Sequence, residues 1–97
     1  MRNTQAVNLL DAGTITANGT PQSLRDRASN VKGRFIVLIA LSTNTNAVYV
    51  GTKNVNTSNN GAAIEAGVRI PIYSVYPADV WVVTAGTDED VSFLVYG

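Results

Sequence analysis

Between Arg34 and Gly51 the chain passes from an unbroken apolar run, Phe35 to Leu41, through a polar turn, Ser42 to Asn46, to a second run, Ala47 to Gly51. Both runs are rich in β-branched residues and the segment between them in turn formers, which predicts two strands joined as a hairpin. Burying most of the first run would contribute roughly 10 to 20 kcal/mol gross, against about 1 to 2 kcal/mol per ordered residue, so it reads as a core strand. The second run alternates, Val48 and Val50 against Tyr49, as a strand covered on one side does. The first does not alternate, and a strand with no polar face needs cover on both sides.

The same pattern continues toward the C-terminus. Val68 to Tyr73 alternates, and its Pro71, which has no N–H to give to a ladder, places it at a sheet edge or an irregularity. Further strands are expected over Asp79 to Ala85 and Asp90 to Tyr96, with turns at Tyr76 to Asp79 and Gly86 to Glu89. Thr52 to Ala62 reads as a loop and Ala63 to Ala66 as a short link. On the N-terminal side, Gly13 to Asn18 alternates weakly and ends at Asn18-Gly19, a dipeptide suited to a hairpin turn. Thr20 to Val31 reads as a polar strand or loop. Residues 1–12 are an N-terminal arm or a first strand, with Val7, Leu9 and Leu10 as their apolar knot, and residues 13–97 form the sandwich domain. Seven to nine short strands with Gly, Pro and Asn punctuation predict an all-β, single-domain β-sandwich or barrel.

Composition narrows the function. At 97 residues the chain has room for one core, and 45% hydrophobic residues exclude a disordered chain. Seven basic and seven acidic residues cancel, which leaves no electrostatic footprint for nucleic acid or an anionic membrane. No secretory signal is read at the N-terminus, and no apolar run approaches the roughly 20 residues of a membrane helix. Cysteine and histidine are both absent, so there is no thiolate metal site and no histidine base. No G-x-S-x-G elbow or phosphate-cradling glycine loop occurs, and neither catalysis nor a cofactor is expected.

Of the carboxylates, Asp88-Glu89-Asp90 is the one cluster. It reads as a solvated turn ahead of a calcium site. Asn18-Gly19-Thr20 and Asn56-Thr57-Ser58 match glycosylation acceptors, which without a secretion signal are read as unused. Trp81 with Tyr49, Tyr73, Tyr76 and Tyr96 could offer a stacking platform to sugar rings, but Trp81 inside an apolar strand reads first as core or interface.

Three strands, Phe35 to Leu41, Val80 to Val83 and Phe93 to Tyr96, are apolar on both faces. A two-sheet sandwich gives each sheet one buried face, and a chain this short cannot build a third layer. The surplus faces are therefore covered by other copies or another protein, or else they lie at sandwich ends or beneath loops. Candidate partner or subunit contacts are Val7, Leu9, Leu10, Tyr73, Tyr76 and Trp81.

From about Lys32 onward the order GRFIVLIALSTNTNAVYVGTKNVNTSNNGAAIEAGVRIPI, VYPADVWVVTAG and DEDVSFLVYG resembles a widespread class of small tailed-bacteriophage virion proteins. The features that carry the likeness are Arg34 leading an apolar strand, Asn44 or Asn46 in the turn, and the strand Val48 to Gly51. They continue with the loop Val55 to Gly61, the pair Ala66-Gly67, the late strand Asp79 to Ala85 and the ending Asp90 to Leu94. The likeness covers about two thirds of the chain. It departs at the bulky segment Tyr73 to Pro77 and does not extend to the N-terminal third. The resemblance implies a jelly-roll-like sandwich of antiparallel strands and a capsid decoration or cement protein on the capsid exterior of a virion made in the host cytoplasm. Its implied partners are the major capsid protein and further copies of itself, as a trimer at three-fold positions. A head-fibre or tail component is the second reading within virions, and a carbohydrate-binding module is the reading from another class.

Overall fold

The computed structural model describes residues 8–25, 32–73, 76–86 and 88–97. Among them are the strands β1 (Leu9–Ala17), β2 (Gln22–Ser23), β3 (Phe35–Ala40), β4 (Val48–Gly51), β5 (Ala62–Ile64), β6 (Arg69–Tyr73), β7 (Trp81–Thr84) and β8 (Glu89–Tyr96). They form two four-stranded sheets, the first in the order β1-β8-β3-β6 and the second β2-β7-β4-β5. All pairs are antiparallel. The order has a simple origin. Folding the chain back on itself at the loop between β4 and β5 pairs β4 with β5, β3 with β6, β2 with β7 and β1 with β8; rolling up that long hairpin then sends alternate pairs to opposite sheets. The product is a jelly-roll sandwich, the expected fold class.

The five strands predicted from Phe35 onward are all present, their bounds moved by one or two residues, and β6 lies at an edge as Pro71 requires. Two expected hairpins are not formed. β3 and β4 lie in different sheets, so Ser42 to Ala47 is a corner that carries the chain across the sandwich. Asn18-Gly19 is likewise a crossing from β1 to β2, where the Thr84 N–H donates to the Asn18 carbonyl at 2.9 Å. In both cases two consecutive strands bury one face in the same core from opposite sides, and local turn propensity gives way to that burial. Ala62 to Ile64, expected as loop end and link, is a short edge strand beside β4.

The core lies between the sheets. β3 contributes Ile36, Leu38 and Ala40, β8 contributes Val91, Phe93 and Val95, and the second sheet answers with Val48, Val50, Ile64 and Val82. Leu24 and Val80 close it beside β2. Gly13 in β1 lies over Phe93, so close that a Cβ there would come within 2.9 Å of the ring. Asp11 and Arg25 cap this end in a bidentate pair with N–O distances of 2.8 and 3.0 Å, the guanidinium standing 5.7 Å from the Phe93 ring centre. That pairing holds the Asp11 carboxyl below the ordinary aspartate value, the Arg25 hydrogen bond being the largest cause.

The corner after β3 depends on Glu89, and here the sequence reading needs correction. The Asp88-Glu89-Asp90 turn is not simply solvated, because Glu89 exposes only 2% of its surface. Its carboxylate accepts from the Thr45 N–H and hydroxyl and from the Asn46 N–H and side-chain amide, at 2.8 to 3.0 Å. Asn44 adds a reciprocal pair, donating to the Asp90 carbonyl and accepting from the Asp90 N–H. These bonds, led by that from the Asn46 side chain, lower the Glu89 pKa against the opposing effect of burial.

Candidate subunit-contact surface

The two sheets treat their outward faces differently. On the second sheet the chain's own loop lies beside part of the outward face, at Val83, while Trp81 and Tyr49 are half-buried and Ala63 is exposed. Val83 of β7 and Val55 of the loop after β4 are each 3% exposed. Val55 fits there because Gly51 and Gly61 carry no side chain; at Gly61, whose φ is +147°, a Cβ would come within 2.6 Å of the Val55 methyl. The loop keeps its shape through Asn56, whose side-chain oxygen accepts from the backbone N–H of Ser58, Asn59 and Asn60. For Val83, then, the cover is a loop of the same chain.

On the first sheet no described segment covers the outward face. Strand register assembles it in rows. Leu9 is opposite Tyr96, Tyr96 opposite Phe35, and Phe35 opposite Tyr73, which makes one row across all four strands. Phe35 stacks on Tyr96 at 5.0 Å between ring centres and 21° between planes, and meets Tyr73 at 6.1 Å and 52°. The second row is Ala12, Leu94, Val37 and Pro71, and the third is Thr14, Ser92, Ile39 and Arg69. Polarity therefore rises along the face. At its far end the Thr14 and Ser92 hydroxyls lie 2.8 Å apart and Thr16 donates to Asp90 at 3.0 Å.

Of the six candidate contacts, this row brings together Leu9, 55% exposed, and Tyr73, 69% exposed. Leu10 adjoins them at the irregularity between Leu9 and Asp11, also exposed. Tyr76 stands apart, ahead of the 3-10 turn Pro77–Asp79, with the Lys32 ammonium 5.8 Å from its ring centre. Trp81 begins β7 on the other sheet, half-buried between Ser23 and Gly51. Val7 lies outside the described residues. Phe35, Val37, Leu94 and Tyr96, which complete the surface, were not among the six candidate contacts, Tyr96 having been weighed only as part of a sugar-stacking platform, although the missing polar faces of Phe35 to Leu41 and Phe93 to Tyr96 were their signal.

A concavity of about 430 Å³ among the described residues, between Gly19, Pro21, Asn56, Thr57 and Ala85, has no acid or base in its lining. Among the described residues no group of three or more metal-ligating side chains is gathered, and no helix is long and apolar enough to cross a membrane. Compared with models of known protein families, with curated proteins and with solved structures, the chain matches none.

Proposed function

We propose that this chain is a structural subunit of a bacteriophage virion that decorates or cements the capsid, working by being buried among neighbours. The carrying observation is the outward face of the first sheet, an aromatic and aliphatic surface that no described segment covers, in a molecule whose other sheet buries Val83 of its outward face beside its own loop. An apolar sheet face in water favours a partner. Fold supports the reading as analogy alone, since jelly rolls serve in capsids and in sugar-binding domains alike. The assignment to a virion, to a major capsid protein as partner and to a trimer at three-fold positions comes from the sequence resemblance. Attachment across neighbouring capsid subunits would then clamp them by mass action.

The experiment is co-sedimentation with capsids lacking this protein, using the full chain and the variants Tyr73→Asp and Phe35→Ser. Saturable binding that either substitution weakens, with the thermal midpoint retained, supports the proposal. Unchanged binding by both folded variants, or no binding by the parent chain, overturns it. A carbohydrate module would instead bind a glycan array and lose that binding in Trp81→Ala.

A further inference from the structure

The four edges of the two sheets are unequally protected. β2 is two residues long and β5 three, too short to template a partner strand. β6 carries Pro71 at its centre and Arg69 at its end, both of which blunt an edge. β1 is nine residues long, has no proline, lysine or arginine, and pairs with β8 on one side alone among the described residues. Its one charge, Asp11, is engaged with Arg25.

The amides that point away from β8 follow from the ladder. The Ala12 N–H donates to the Asp11 side chain at 2.8 Å and so is not spent on β8. By the two-residue period of a strand, the N–H groups of Thr14 and Thr16 face the same way. The regular stretch after the irregularity runs from Asp11 to Ala17, and Thr14 is its midpoint.

We propose that β1 pairs antiparallel with β1 of a second copy across a two-fold axis at Thr14, joining two first sheets into one continuous sheet. The strand is complementary to itself in that register. Thr14 meets Thr14, Gly13 meets Ile15, Ala12 meets Thr16 and Asp11 meets Ala17, so no like charges are opposed and the threonines form a favourable cross-strand set. With the Ala12 amides already committed, the pairing supplies roughly four interchain backbone hydrogen bonds. It leaves the outward face of the first sheet open and stands whether or not the virion reading does, but it puts a two-fold association in place of the trimer that the resemblance implies.

The chain has no cysteine, which permits a direct test on the full-length protein. Thr14→Cys places one thiol beside its copy on the axis, within reach of a disulfide, whereas Ser92→Cys places it one strand further in. Under mild oxidation at micromolar concentration, Thr14→Cys is expected to form covalent dimer at least about ten-fold faster than Ser92→Cys. Light scattering of the unmodified chain should show even-order association, reduced to half that order by Thr14→Pro, or by Thr14→Lys where the proline variant does not fold. Equal cross-linking rates, a concentration-independent monomer or trimer, or association retained in a folded Thr14→Lys variant overturns the proposal.

Discussion

Glu89 shows how much one side chain can hold. It is the first residue of β8, yet its hydrogen bonds fix the corner between β3 and β4, and with it the crossing from one sheet to the other. A carboxylate whose folded pKa is depressed contributes stability that is fully present above the ordinary glutamate value. That contribution is lost as pH falls through the lower, folded value. The melting temperature should therefore hold level above about pH 5 and fall progressively below about pH 4. Asp11, also depressed by its partner Arg25, adds to the same acid limb. In Glu89→Gln the neutral-pH midpoint should drop, because the amide cannot accept all the donors aimed at it, and the acid limb should become shallower while keeping the Asp11 share. Thermal scans from pH 2.5 to 8 make the comparison; an unchanged acid slope would remove Glu89 from this role. Nothing local in the sequence separated Glu89 from its neighbours Asp88 and Asp90, since its burial is set by Thr45 and Asn46, more than forty positions away.

At the scale of elements, apolar periodicity was enough to place β3, β4, β6, β7 and β8, because each buries a face that only a strand supplies. Partners were harder to read. The hairpin expected at Ser42 to Asn46 was argued from turn chemistry, which reports that the chain reverses and not whether the reversed strand joins the same sheet. The non-alternating β3 was read as needing cover on both sides, but its inner and outer halves become distinct only in register with β8 and β6. Ile36 and Leu38 face inward with no exposed surface, while Phe35 and Val37 face outward and keep part of theirs. Substituting Ile36→Asp or Leu38→Asp should abolish folding, since an unpaired charge in the core costs several kcal/mol, comparable with the whole stability of such a domain. Soluble expression with a cooperative melt would contradict the placement of the core. A polar residue at Val37, two atoms of backbone away in the ladder but on the other face, should leave the melt nearly unchanged.

For the whole molecule the contrast between the two outward faces is the basis of its proposed role. Sequence showed a surplus of apolar face but not its fate, because the same excess can be absorbed by a loop or left uncovered; here a loop lies beside Val83 on one sheet, and no described segment covers the outward face of the other. Matched substitutions separate the two. Val83→Asp buries a charge beneath the loop that carries Val55, and is expected to cost several kcal/mol of stability whatever the protein binds. Leu94→Asp, at the centre of the outward face between Ala12 and Val37, replaces a half-buried side chain that keeps access to solvent in the isolated chain and should cost about 1 kcal/mol, well below the core substitution. In an assembly that buries this face the same substitution leaves a charge without water or partner, so it should abolish binding to capsids while the thermal melt changes little. Measuring melting temperature and capsid co-sedimentation for the pair gives four numbers with a definite expected pattern: Val83→Asp low in stability, Leu94→Asp low in binding alone. If Leu94→Asp proves as unstable as Val83→Asp, the face is already covered within one copy and self-sufficiency, not assembly, explains the surplus.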